Sequence, residues 1–241
     1  MARFSHFSTG MQASRVLYFL LSAFYFLLLP AMWRLFTICV ILALLCGCET
    51  TPYNITDFNT VVVDAGHGGH DSGAFTRGRG PRIKEKDLTL DMAQRVNYKL
   101  QAAGFRTVMT RSGDYFITLD NRVSRSNTQR KSVFVSIHFN YGRRRGAHGA
   151  ETYHNARGTW QLAERIQCSL ATMPYGMNRG VHTASYWVLR KSEGPAILVE
   201  CGFLSNAAEA KRCANPAWRE EAATRIANAI IAQRQPPLER F

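Results

Sequence analysis

Beyond residue 58 the hydrophobic and polar positions of the chain fall into two recurring patterns. Short apolar or alternating runs occupy Thr60 to Asp64, Phe105 to Thr110, Ser132 to Ile137, Ala150 to Tyr153, Ala184 to Arg190 and Ala196 to Glu200. Rich in Val, Ile, Phe and Thr and bounded by Gly, Asn or Pro, they read as strands. Most are separated by segments of helical period. After Glu85, the residues Leu88, Met92, Val96, Leu100 and Ala103 recur every three or four positions, and Gly104 follows as a stop signal. Further helices are predicted over Leu119 to Arg130, Thr159 to Ala171 and Pro216 to Ala232. Strands alternating with helices define an α/β fold, here a single domain at 58–233 with a mostly parallel, twisted sheet and helices on both faces.

The first fifty residues follow neither pattern. From Val16 to Gly47 the chain is almost wholly apolar, broken by Pro30 and Arg34, and holds no acid. Residues 1–47 therefore read as an export segment, and two forms of it fit. Starting at Met32, Met32-Trp33-Arg34 forms a basic n-region, Leu35 to Leu45 an apolar h-region, and Leu45-Cys46-Gly47-Cys48 resembles a bacterial lipobox that would lipidate Cys48. Starting at Met1, the stretch is long enough for a retained membrane helix, which needs about 20 apolar residues. Either form exports the domain and anchors it at a membrane, with 48–57 as a polar linker and 234–241 as a tail. The expected location is periplasmic or otherwise extracytoplasmic, as a lipoprotein, with Glu49 leaning toward the outer membrane.

Charge and cysteine count narrow the class of partner. The chain carries 30 Lys and Arg against 17 Asp and Glu, a net charge of +13. Loss of residues 1–47 would remove Arg3, Arg15 and Arg34 and no acid, so the positive balance persists. An exported basic protein meets cell wall or lipid head groups rather than nucleic acid. The densest basic patch, Arg143-Arg144-Arg145 between Gly142 and Gly146, reads as a solvated loop. Cys168, Cys201 and Cys213 allow at most one disulfide, which rules out a disulfide scaffold, and with no CxxC pair their spacing argues against a thiolate zinc site. Cys168, on a predicted helix, reads as a small buried residue.

In open parallel sheets, ligand sites lie beyond the carboxyl ends of the strands. That rule gathers residues that are far apart in sequence. His67 follows the first strand in the Gly-rich turn Gly66-His67-Gly68-Gly69, His138 follows the strand ending at Ile137, and Glu200 closes the strand from Ala196. Glu85 opens a helix beyond the loop Arg77-Gly78-Arg79-Gly80-Pro81. Two imidazoles and a carboxylate are a common ligand set for catalytic zinc, and a further carboxylate can move protons. Spacing alone leaves metal-free acid/base chemistry by the histidines as the competing reading. Singly, Glu85 could be a first-turn acid favoured by the helix dipole, and Glu200 a salt-bridge partner.

The ordered motifs Val63-Asp64-Ala65-Gly66-His67-Gly68-Gly69, Glu85-Lys86-Asp87-Leu88-Thr89-Leu90, Thr110-Arg111, Leu119-Asp120-Asn121-Arg122, Val135-Ser136-Ile137-His138-Phe139-Asn140 and Val199-Glu200-Cys201-Gly202-Phe203-Leu204-Ser205-Asn206 resemble those of the zinc-dependent N-acetylmuramoyl-L-alanine amidases. The resemblance covers nearly all of 58–233. It implies a six-stranded sheet, Zn2+ held by His67, Glu85 and His138, and Glu200 as catalytic acid/base. The implied reaction is hydrolysis of the amide between N-acetylmuramic acid and L-alanine of the stem peptide, in cell-wall remodelling and division. Asn140, Arg179 and Arg190 are the candidates for holding substrate, with Arg111 and Arg122 as further cations. His70, His148, His154 and His182 match no metal motif, and a nucleophilic Cys201 is not expected. No inserted plug or localisation domain is evident, which implies an open site controlled by tethering. The expected partners are peptidoglycan and a membrane, and the expected state is a monomer. A zinc peptidase cutting within the stem peptide and an inactive peptidoglycan-binding lipoprotein are the rival readings, because ligands alone do not choose the amide.

Overall fold

The computed structural model describes residues 55–76, 81–155 and 158–234. The export segment, the Cys48 lipidation site, the four residues 77–80 of the Gly-rich loop and the tail from Gln235 lie outside these. Six strands, β1 (Thr60–Ala65), β2 (Arg106–Met109), β3 (Ser132–Asn140), β4 (Ala150–His154), β5 (Asn178–Thr183) and β6 (Ala196–Phe203), form one sheet in the order β2-β1-β3-β6-β4-β5. Pairing is parallel except between β4 and β6, which run antiparallel. The helices are α1 (Glu85–Ala102), α2 (Leu119–Asn127), α3 (Trp160–Ala171), α4 (Trp187–Lys191), α5 (Ala207–Cys213) and α6 (Pro216–Arg234).

All six residues of β1 are buried, as expected of a central strand covered on both faces. Alternation divides them. Val61, Val63 and Ala65 join the large core with Leu88, Met92, Val96 and Leu100 of α1 and Ile226 and Ile230 of α6, whereas Val62 joins a smaller core with Val123 of α2 and Val188 and Leu189 of α4. Each fully buried side chain of this size contributes about 1.5–3 kcal/mol relative to exposure. Helix α1 ends where the sequence signals it. Gly104 takes φ +79, and the Phe105 N–H reaches the Leu100 carbonyl at 3.0 Å, a left-handed cap that glycine adopts without strain.

The structure corrects the sequence reading at three places. The run Ala184 to Arg190 is not a strand: the fifth strand lies earlier, at Asn178–Thr183, and Trp187–Lys191 is helical. β5 pairs only with β4 and sits at the sheet edge, so its Asn, Arg and His residues stay in contact with solvent and produce no apolar alternation. The aromatic run that mimics a strand buries Val188 and Leu189 from a short helix instead. Helix α5 was not anticipated, although its start carries a readable cap in which Asn206 accepts from the Glu209 N–H at 3.1 Å. Cys168 is exposed rather than buried, while Cys201 and Cys213 are buried, and all three thiols are free.

Candidate metal centre and its cleft

The site begins with the way β1 ends. Asp64 is almost fully buried and accepts hydrogen bonds from Thr110 Oγ1 at 2.6 Å, Ser136 Oγ at 2.6 Å and Arg122 Nη1 at 2.7 Å. Burial by itself raises a carboxyl pKa, but the Arg122 guanidinium and the two hydroxyls outweigh it and hold Asp64 below the ordinary value. Arg122 also donates to the carbonyls of Ala65 and His67, each at 2.6 Å. Arg111 donates to the carbonyls of Ala65 at 2.9 Å and of Gly66 at 2.8 Å. Both arginines, read from sequence as substrate cations, are buried and engaged in satisfying the backbone of the turn that carries His67.

That turn is tight. His67 has φ 60, a left-handed conformation uncommon outside glycine, and Gly69 and Gly73 have the same φ. Glycine is required at two positions for space as well. A Cβ on Gly66 would lie 2.3 Å from His138 Cε1, and one on Gly73 would lie 2.5 Å from Glu85 Oε2. Replacing Gly66 by Ala is therefore expected to push the His138 imidazole out of place. The variant should stay folded by circular dichroism while binding divalent metal far more weakly than the parent, as read by elemental analysis after incubation with a metal salt.

His67, Glu85 and His138 converge at the carboxyl edge of β1 and β3. One ligand atom from each lies within 4.8 Å of the others, and no other group of three such residues does so among those described. His67 Nε2 is 3.1 Å from Glu85 Oε2, and His138 Nδ1 is 2.9 Å from Glu85 Oε1. The Glu85 carboxylate is held from behind by the N–H groups of Ala74 at 2.8 Å and Phe139 at 3.0 Å. Burial raises its pKa, yet the imidazoles of His138 and His67 override this and keep it ionised. His67 is pushed the other way: burial lowers its pKa, but Glu85 and Asp71 raise it above the usual value. Asp71 Oδ2 meets His67 Nδ1 at 2.8 Å, fixing the ring so that Nε2 faces Glu85. A carboxylate behind a ligating imidazole is a common orienting arrangement.

Glu200 completes the group. It lies opposite His138 in the β3–β6 register, and its Oε2 is enclosed without a hydrogen-bond partner among the described residues. Burial, with Glu85 and Glu151 nearby, pushes its pKa well above the carboxylate range. These four residues line a cleft of about 660 Å³ together with Asn140, Tyr141, Phe116, Tyr186 and Trp187.

The other candidates separate. Asn140 lines the cleft and donates to Glu151 Oε1, and Arg179 Nε donates to Glu151 Oε2 at 3.0 Å with its guanidinium over the Phe203 ring. Arg190 lies over Trp187 and lines a different cavity with His154 and Asn155. His70 packs on Phe116, and His148, His154 and His182 bond to nearby loop or strand atoms, outside the ligand group. Cys201 is a buried thiol whose pKa burial raises, which makes it a poor nucleophile. Sequence reasoning missed Glu151, the acid that pairs with Glu200 across β4 and β6. It lies near the start of an antiparallel strand, where a search of strand ends does not look.

Two imidazoles and a preoriented carboxylate, with a second carboxyl held apart from them, form a donor set suited to a metal-assisted hydrolase on an α/β sheet. Comparison with known proteins agrees, since residues 61–232 match Amidase_3, described as N-acetylmuramoyl-L-alanine amidase. The chain belongs to this enzyme family. It is 37% identical over 177 residues to the N-acetylmuramoyl-L-alanine amidase LytC of Bacillus subtilis strain 168, covering 72% of this chain but only 35% of LytC. It is 34% identical to the uncharacterized protein YqiI of the same organism, covering 83% of this chain and 96% of YqiI. Among solved structures, the amidase AmiC2 of Nostoc punctiforme superposes with a TM-score of 0.67 at 35% identity, covering 72% of this chain and 95% of that one. An amidase from Clostridium difficile 630 does so with a TM-score of 0.69 at 31% identity, covering 73% and 96%.

Proposed function

We propose that the protein is a zinc-dependent peptidoglycan hydrolase that cleaves the amide joining N-acetylmuramic acid to L-alanine of the stem peptide. The observation that carries this reading is the convergence of His67, Glu85 and His138 beside the enclosed, unpartnered Glu200 Oε2. The donor set fits zinc, which favours imidazole and carboxylate ligands and keeps a position open in catalytic sites. His67, Glu85 and His138 would hold the ion, which would supply Lewis acidity toward the scissile carbonyl and toward water.

The remaining work falls to the chain itself. Asp71 holds the His67 ring, and the N–H groups of Ala74 and Phe139 hold Glu85. Glu200 takes the proton from the attacking water and delivers it to the departing amine of L-alanine. Burial favours the protonated carboxyl that the delivery step needs, and a cation held by His67, Glu85 and His138 would favour the ionised form that the first step needs. Asn140, which lines the cleft, and Arg179, which shares the Glu151 carboxylate with it, are assigned to the substrate side. Arg190, on α4, is assigned a lesser part, as support for Trp187. The His67 and His138 side chains retain 22% and 19% of their exposure, which supports a site reachable without an activator. We place the domain outside the cytoplasm as a monomer, anchored through Cys48 or the apolar segment before it, and acting in wall remodelling and division.

Digestion of defined muropeptides by the zinc-loaded chain, with products identified by mass, tests the reaction. Free stem peptide and intact sugar are expected, and chelation should abolish both until zinc is restored. Shortened stems would replace the amidase reading with a peptidase, and no product would leave a binding protein.

A further inference from the structure

The cleft carries a second feature that the hydrolytic chemistry does not use. Phe116 and Leu119, at the entry to α2, and Tyr186 and Trp187, at the entry to α4, are large apolar side chains that line the cleft and remain 37–52% exposed. Trp187 Nε1 donates to Asp120 Oδ1 at 2.7 Å, which ties the two helix starts into one ledge. The Tyr186 ring meets Tyr153 edge-on, with centroids 5.0 Å apart, so it too is held in place.

Charge decides what can lie on this ledge. The only Lys or Arg among the described cleft residues is Arg122, whose donors are committed to Asp64 and to backbone carbonyls. Arg190 and Lys191 lie over the Trp187 ring but are not among the described lining residues, so the free carboxylates of a stem peptide find no uncommitted side-chain cation along this cleft. An N-acetyl sugar is neutral once its lactyl carboxyl is in amide linkage, and the C–H faces of its ring suit aromatic surfaces. Resting on the amidase reading, we infer that the ledge formed by Phe116, Leu119, Tyr186 and Trp187 is the glycan subsite, seating the N-acetylated sugar while the peptide leaves on the opposite side, past Asn140 toward Arg179.

Two substrates and one ligand test this on the full, zinc-loaded chain: a disaccharide-tetrapeptide, an N-lactoyl-tetrapeptide that lacks the sugar, and the disaccharide without peptide. The chain should favour the sugar-bearing substrate by about tenfold or more in kcat/KM, and the F116A/W187A double variant should lose most of that ratio. Trp187→Phe keeps the ring but not the bond to Asp120, so it should retain the ratio. Calorimetric binding of the peptide-free disaccharide should weaken about tenfold in the double variant. An unchanged ratio with unchanged disaccharide binding would overturn the subsite, as would a Trp187→Phe variant as impaired as the alanine form. If neither substrate were hydrolysed, the amidase reading would fail, and disaccharide titration of the two proteins would still decide the ledge.

Discussion

Replacing Glu200 by Gln is expected to leave zinc content unchanged and to lower muropeptide hydrolysis by about 10²–10⁴-fold, the usual contribution of a positioned acid/base. Shape and volume are preserved by this change, and Glu200 is not one of the three converging ligands. The amide cannot accept the proton of the attacking water, so kcat should fall with little change in KM. The enclosed Oε2 has no hydrogen-bond partner to lose among the described residues, so the variant should be at least as stable as the parent. Zinc content by elemental analysis, beside kcat and KM on a defined muropeptide, gives the check. Full turnover in the variant would remove Glu200 from the mechanism.

The second large effect concerns stability. Arg122→Met leaves Asp64 as a buried carboxylate without its cation and releases the carbonyls of Ala65 and His67. Breaking a buried pair of this kind costs about 3–5 kcal/mol. For a domain of this size that corresponds to a fall in Tm of about 6–20 °C, measurable by calorimetry. The same pair carries a pH signature. Because the folded pKa of Asp64 lies below its unfolded value, the pair stabilises fully above pH ~3.9, and its contribution is lost as pH falls through the folded pKa. The parent should therefore lose more stability than Arg122→Met as the solution is acidified below pH ~3.9. Equal acid sensitivity in both proteins would show that the guanidinium does not hold the carboxylate ionised.

What the sequence could reveal followed from where each residue stands in the fold. His67, His138 and Glu200 were legible because each follows a buried apolar run that is easy to see and parallel strands deliver their carboxyl ends to one edge, although β3 and β6 continue past His138 and Glu200 to Asn140 and Phe203. Glu85 was legible as the first residue of a strongly periodic helix. Arg111 and Arg122 looked like solvent-facing cations because composition says nothing of the carbonyls left unpaired by a tight turn. Only the structure shows that these carbonyls take up both side chains. β5 was misplaced because an edge strand that is half exposed has no hydrophobic signature, and Glu151 was missed with the antiparallel pairing that brings it beside Glu200. The ledge was hidden for a related reason, since Phe116 and Trp187 are far apart in sequence and come to one cleft only in the fold.

The reversed direction of β4 has a bearing on how such an enzyme can change. The proposed metal ligands come from the carboxyl edge of the sheet and a helix start, fixed by buried hydrogen bonds, whereas Glu151 and Arg179 arrive from the starts of β4 and β5, each preceded by a surface connection, at 141–149 and 172–177. Length and charge in those two connections can vary without moving His67, Glu85 or His138. Substrate range could then drift through insertions and deletions on one side of the sheet while the hydrolytic chemistry stays constant, and a designer seeking a new cell-wall specificity would graft there first.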